Sequence, residues 1–423
     1  MDRKYKKSVL SNGIRVVTEY HPSARSVAMG LWVDVGTRDE KPDQVGISHL
    51  LEHMVFKGTK TRTAYQIAKS LEALGGELNA FTSREQTCYH ALVLKDHWSE
   101  ALDVLCDLVT HMKFTKKDFH LEKGVILQEI AMAEENPEEY VFDMFFEVCY
   151  GQHPVGRSIL GSIKSVTHMK MRDIYTHYKS LYQGSNLLLS AAGNIDHEEL
   201  VVKAERLLAS KKRKKFGNKD TRPRWRAHRY VKEKDTEQVH FLVGLPFPAF
   251  KSNERFAGII LNTLLGGGMT SRLYQSIRER RGLAYSIYST LNSFEDAGCL
   301  NIYSGVDPEN LEELVDLVTH ELRKVRSQGL KKSEIENYKT QVVGSLLLGA
   351  DDADNRMNSI AINELVFGQY RSPDDVVAQV QAVTADDLHE FIDSWIKPEK
   401  MAGVLMGPEL SQRHEWWKDV DFT

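Results

Sequence analysis

The strongest constraint on this chain is that part of it occurs twice. Asp107-Leu108-Val109-Thr110-His111 recurs as Asp316-Leu317-Val318-Thr319-His320. Each copy lies in a stretch with apolar residues at helical spacing: Leu102, Leu105, Leu108 and Val109 in one, Leu311, Leu314, Leu317 and Val318 in the other. Downstream, Lys116-Lys117 before one helical pattern answers to Lys331-Lys332 before another, after a short insertion containing Gly329. Upstream, Leu50-Leu51-Glu52-His53-Met54 answers to Leu264-Leu265-Gly266-Gly267 and Met269 once a glycine is inserted. Correspondences in the same order identify an internal duplication, and 423 residues leave room for a separate core in each copy.

Both copies mix strand-like and helical segments. Residues 5–10 and 14–20 flank Asn12-Gly13, a hairpin turn signal. Further strands are predicted over 26–35, 77–81 and 87–94, and in the second copy over 238–244, 284–292 and 299–305. Helices are predicted over 44–57, 64–74, 97–113, 116–133, 169–181 and 198–208. The expected fold class is therefore α+β, with two homologous α/β-sandwich-type domains over 1–210 and 226–423. A basic linker over 211–225 joins them. Its run Lys211-Lys212-Arg213-Lys214-Lys215-Phe216-Gly217-Asn218-Lys219 is nearly devoid of apolar residues and carries no binding motif, so it reads as solvated chain rather than a nucleic-acid patch.

Composition excludes several classes of partner. A net charge of −4 gives no reason to expect nucleic acid. Cys88, Cys106, Cys149 and Cys299 lie far apart with no C-x-x-C pair, which argues against a disulfide framework or a cysteine zinc site and for a reducing compartment. Met1-Asp2-Arg3-Lys4 opens no apolar signal region, and no apolar run approaches membrane-spanning length. A soluble, cytoplasmic protein without a nucleic-acid or membrane partner is the expectation.

Chemistry concentrates at His49-Leu50-Leu51-Glu52-His53, an H-x-x-E-H arrangement. Residues four apart on a helix stand one above the other, so His49 and His53 can share a metal ion with Glu52 beside them. The alternative is two solvated histidines on an amphipathic helix. A catalytic zinc site takes three protein ligands, so a carboxylate, histidine or cysteine must come from elsewhere. Glu122 and Glu129 are candidates, seven apart on one helical face in a segment made apolar by Val125, Ile126, Leu127 and Ile130. An exposed charged stripe is the competing reading. Aligning Lys116 with Lys331 sets Glu122 opposite Asn337 and Glu129 opposite Gly344, while Glu52 and His53 face glycines. The ionisable groups vanish together from the second copy, as one functional unit would.

These residues resemble the pitrilysin/insulinase family of inverted zinc peptidases, and the chain length resembles its processing-peptidase branch. The likeness extends through Gly75-Gly76-Glu77-Leu78-Asn79-Ala80-Phe81-Thr82, His153-Pro154-Val155-Gly156, Gly266-Gly267-Gly268-Met269-Thr270-Ser271-Arg272-Leu273 and Arg278-Glu279-Arg280-Arg281-Gly282-Leu283-Ala284-Tyr285. The resemblance implies one Zn2+ per chain held by His49, His53 and Glu129, with Glu52 as general base on the attacking water. Glu122 then orients a ligating histidine through its free ring N–H. Asn79, Ala80, Phe81 and Thr82 match the family's substrate-binding edge strand, and Arg278 and Tyr285 its oxyanion-stabilising pair.

The resemblance further implies half of a clam-shaped chamber completed in a homodimer, or alternatively in a heterodimer, enclosing peptides or unfolded polypeptide segments. The implied activity is that of a zinc endopeptidase. The alternative is a non-catalytic structural or peptide-binding subunit of a processing-peptidase-like heterodimer. Glu134, Glu135, Glu138 and Glu139 around Asn136-Pro137 read as a solvated helix junction rather than a site for basic substrates.

Overall fold

A hairpin opens the fold: β1 (Lys4–Val9) and β2 (Arg15–Tyr20) pair antiparallel from Lys4↔Tyr20 to Val9↔Arg15. Gly13, at φ 88°, makes the turn, using the left-handed backbone that Asn-Gly sequences favour. The structure is a computed structural model describing residues 4–213 and 222–422. After the hairpin come β3 (Ser26–Val33), α1 (Ile47–Val55), α2 (Ala64–Glu72), β4 (Glu77–Thr82), β5 (Thr87–Leu94) and α3 (Trp98–Thr110). Next are α4 (Lys116–Glu135), α5 (Pro137–Tyr150), α6 (Ile163–His168), α7 (Met171–Leu181), β6 (Leu187–Gly193) and α8 (His197–Leu207). The second copy begins with β7 (Arg229–Glu233), β8 (Val239–Pro246), α9 (Arg255–Gly266), a π-helical turn (Tyr274–Glu279), β9 (Ser286–Ser293) and β10 (Gly298–Val306). It continues with α10 (Leu311–Gln328), α11 (Lys332–Gly349), α12 (Ala353–Ile362), α13 (Pro373–Ala382), α14 (Ala385–Trp395), β11 (Ala402–Gly407) and α15 (His414–Asp419).

The duplication is visible in the sheets. The first has the order β1-β2-β6-β3-β5-β4 and the second β7-β11-β8-β10-β9. Without β1 the two are the same: a late strand inserts between the first two, parallel to one and antiparallel to the other. The repeated pentapeptides lie at the end of α3, which His111 caps, and within α10, and the two Lys-Lys pairs sit at the starts of α4 and α11. Three strands, β6, β7 and β11, were not predicted. Every residue of β6 and of β11 is buried, so both read as short apolar runs without the alternation that marks a half-exposed strand.

Each sheet has two covered faces. One face packs against its own copy's helices in a large apolar core. The other face is covered by a single helix from the opposite copy: α12 places Met357, Ile360 and Ala361 on Val17, Trp32 and Leu188 of the first sheet. In the same way α5 places Val141, Phe145 and Cys149 on Leu242, Tyr303 and Val404 of the second. The compact units are accordingly discontinuous. One is Met1–Ala131 with Arg157–Thr221 and Leu348–Arg371, the other Met132–Gly156 with Arg222–Leu347 and Ser372–Thr423. The division into 1–210 and 226–423 does not register this exchange, because apolar periodicity says that a helix buries a face but not which sheet receives it.

One detail of the linker region departs from its expected solvated character. Lys211, expected in solvated chain, is buried: its Nζ donates to the Tyr182 carbonyl at 3.0 Å and lies 4.7 Å from the centre of the Tyr178 ring. Burial pushes its pKa down to about 7. Positions 214–221 of the predicted linker lie outside the described residues. The junction around Asn136-Pro137 is a helix junction, with the Asn136 side chain capping α5 and Pro137 in its first turn. Glu138 there is not merely solvated, since it accepts a hydrogen bond from the Tyr288 hydroxyl at 2.5 Å. Among the described residues no helix is long and apolar enough to cross a membrane.

Candidate active site

The start of α1 is held rigidly. Gly46 precedes it at φ 91°, and a Cβ there would stand 2.6 Å from the Leu160 carbonyl oxygen, so only glycine fits. The buried Glu40 side chain accepts from the backbone N–H groups of Gly46 and Ser48, each at 2.8 Å, and so serves two donors at the helix start. Burial pushes the Glu40 carboxyl up to about 8, against the pull of these N–H donors and of Arg157. Leu50, Leu51, Met54 and Val55 turn into the core. That orientation leaves His49, Glu52 and His53 on the opposite, half-buried face.

Helix α4 presents the matching carboxylates, anchored by buried Phe119, Ile126 and Ile130. Glu129 Oε2 lies 3.9 Å from His49 Nε2 and 3.6 Å from His53 Nε2, and the three ligand atoms fall within 4.8 Å of one another. These gaps are too long for hydrogen bonds. They are slightly wider than the roughly 3.3 Å edge of a tetrahedron drawn with metal bonds of about 2.0–2.1 Å. Glu129 Oε2 is buried without a hydrogen-bond partner. A buried carboxylate oxygen facing two imidazole nitrogens, with nothing donated to it, fits a cation between the three. Burial, with His53 adding to it, pushes the His49 pKa down to about 4, which keeps the ring in its neutral, lone-pair-bearing form.

Around this trio stand further groups. Glu122, almost wholly buried, places Oε2 3.2 Å from His53 Nδ1. Its Oε1 lies 2.6 Å from Lys57 Nζ. Lys57 escaped the sequence reading, and the only signal for it was its position four residues beyond His53, one turn along. Glu52 Oε2 accepts from the Thr82 hydroxyl at 2.5 Å. Burial raises the Glu52 pKa and Glu129 adds to the rise, while Thr82 and His53 oppose it.

Thr82 ends β4, which lies at the edge of its sheet. Leu78 and Ala80 turn toward the helical core, while Phe81 packs its ring edge-on to Trp32 at 5.6 Å on the other face. A cavity of about 430 Å³ runs between β4 and α2, lined in part by Phe56, Ile67, Ala68, Leu78 and Asn79. Asn79 turns its side-chain oxygen to the N–H of Ala80, at 2.8 Å. The structure therefore gathers His49, Glu52, His53, Thr82, Glu122 and Glu129 in one place, with Asn79, Ala80 and Phe81 on the adjoining strand. Arg278 and Tyr285 belong to the second unit, where they meet each other: the guanidinium carbon lies 4.5 Å from the tyrosine ring centre.

Comparison with known proteins points to one family. Residues 15–163 match the insulinase family, peptidase family M16, and residues 168–342 match the peptidase M16 inactive domain. An uncharacterized zinc protease of Streptomyces coelicolor is 38% identical over 423 aligned residues, spanning 97% of this chain and 92% of its own. One of Bacillus subtilis is 36% identical over 381, spanning 90% and 93%. The crystal structure of a protease from Helicobacter pylori has the same fold, with a TM-score of 0.90 at 22% identity over 96% of this chain and 100% of that one. With relatives this similar along nearly its whole length, the chain belongs to the insulinase family of peptidases, family M16.

Proposed function

We propose that the protein is a zinc-dependent endopeptidase that hydrolyses peptides or unfolded polypeptide segments. The observation that carries this reading is the convergence of His49, His53 and Glu129 around a buried, unpartnered carboxylate oxygen, with Glu52 beside them. These three residues would hold one zinc per chain, and the relatives named as zinc proteases support that choice of metal. When bound, zinc would supply Lewis acidity, lowering the pKa of water from about 15.7 toward 7 and countering charge on a carbonyl oxygen.

The remaining work falls to side chains. Thr82 occupies one oxygen of Glu52, while Oε1 has no hydrogen bond among the described residues and is free to take the proton of the attacking water. Its raised pKa suits it to return that proton to the departing amine nitrogen. An extended peptide adds to the free edge of β4, so main-chain pairing presents it to Glu52 whatever its side chains are. Arg278 and Tyr285 offer guanidinium and phenol donors to the substrate carbonyl. A symmetric homodimer of the processing-peptidase type would form the chamber, with each chain bringing both residue sets. Four free, buried cysteines support a reducing, cytoplasmic location.

The direct test is Glu52→Gln, which keeps the size of the side chain and removes the base. The purified variant should retain zinc by elemental analysis yet release no fragments from an unstructured peptide followed by mass spectrometry. Undiminished cleavage would show that Glu52 is not the base, and cleavage that survives chelation would dispose of the metal.

A further inference from the structure

We propose that Tyr274 is a positioning residue for Arg278, forming with Tyr285 an aromatic clamp that holds the guanidinium ready for a substrate carbonyl. This rests on the role given to Arg278 above and adds what keeps that side chain in place. The Arg278 guanidinium carbon stands 5.0 Å from the Tyr274 ring centre and 4.5 Å from that of Tyr285, so two phenol rings lie within cation–π range of one cation. The side chain is half-buried and makes no hydrogen bond or ion pair among the described residues. Two nearby arginines are otherwise engaged: Arg272 donates to Glu334 at 3.0 Å, and Arg281 to the Ser276 carbonyl at 2.8 Å. Arg278 thus keeps its five N–H donors unspent while its planar face is occupied.

The two rings have unequal roles. Tyr285 is 80% exposed and cannot by itself fix what lies against it. Tyr274 is half-buried and opens the π-helical turn that carries Arg278, with Ser276 and Ile277 in the core. Gln275 in the same turn donates from its side chain to the Met269 carbonyl at 2.8 Å, and the Arg280 N–H donates to the Gln275 carbonyl at 3.2 Å. Tyr274 is therefore the supported wall and Tyr285 the exposed one. A long arginine side chain loses much rotamer freedom when it engages a ligand, and a wall that restricts it beforehand lowers that cost at the moment of reaction. The clamp acts through the ring face and makes no use of the Tyr274 hydroxyl.

The experiment is steady-state cleavage of an internally quenched unstructured peptide by the zinc-loaded oligomer, comparing Tyr274→Phe, Tyr274→Leu, Arg278→Ala and the Leu/Ala double variant. Tyr274→Phe should match the parent, since it keeps the ring. Tyr274→Leu should lose about 10-fold in kcat/KM, mostly in kcat, with unchanged melting temperature and zinc content. The double variant should be no worse than Arg278→Ala alone. If leucine prevents folding, Tyr274→Met makes the same comparison. The clamp is refuted if Tyr274→Leu is fully active while Arg278→Ala is impaired, if phenylalanine is as damaging as leucine, or if the two losses simply multiply. Full activity in Arg278→Ala would instead overturn the role of Arg278, leaving the metal-centred reading to its own test.

Discussion

Lys57 links two helices at the candidate metal centre. Its ammonium lies 2.6 Å from one oxygen of Glu122, whose other oxygen faces His53 Nδ1 at 3.2 Å. Glu122 is nearly inaccessible and Lys57 only partly exposed, so the pair is poorly screened. With its second oxygen anchored, Glu122 can accept the Nδ1 proton of His53 and leave the Nε2 lone pair directed at Glu129. Lys57→Met should therefore weaken zinc binding by about 10-fold, measured by competition with a chromogenic chelator. Lys57→Arg should recover part of the loss by restoring the charge, and equal affinity in all three proteins would remove Lys57 from the site. Spacing on one helix placed the two histidines together, because four residues make about one turn. The contacts from Lys57 to Glu122 and from Thr82 to Glu52 join separate elements through flexible or short polar side chains, so no periodicity announces them.

The exchanged helix α12 carries a buried ion pair to the sheet that it covers. Arg356 donates to both oxygens of Glu19 on β2, at 2.8 Å from Nε and 2.6 Å from Nη2, and the Tyr370 hydroxyl donates to Glu19 at 2.8 Å. Both charges are nearly inaccessible. Arg356→Ala should cost about 3–5 kcal/mol, since it strands the Glu19 carboxylate against an apolar face. Replacing both partners with Arg356→Met and Glu19→Gln should cost much less than Arg356→Ala alone, as chemical denaturation would reveal. Equal losses would show that apolar packing, not the pair, holds the helix. Strands with one exposed face or a recognisable turn, such as β1 and β2, were legible from alternation and Asn12-Gly13. The wholly buried β6 and β11 were not, although the equally buried β10 was, so burial on both faces removes the two-residue period without always hiding the strand.

Exchange of α5 and α12 makes the folding of each unit depend on both halves of the sequence. A fragment covering 1–210 lacks the helix that covers Trp32 and Leu188, and one covering 226–423 lacks the helix over Leu242 and Val404. Expressed separately, each should aggregate or show broad, non-cooperative unfolding by circular dichroism, with a sheet face left bare. Co-expressed, they should copurify and melt cooperatively. Independent cooperative folding of either fragment would show that the exchanged helix is dispensable. What the sequence alone determined was the local and the repeated: the duplication, the mixed α/β class, and the histidines and carboxylates on single helical faces, all set by spacing along the chain. Only the tertiary structure decided which sheet each exchanged helix covers, which side chains surround the metal-ligating trio, and which rings lie within reach of Arg278. Those choices depend on shape and burial across distant segments, and a one-dimensional pattern carries neither.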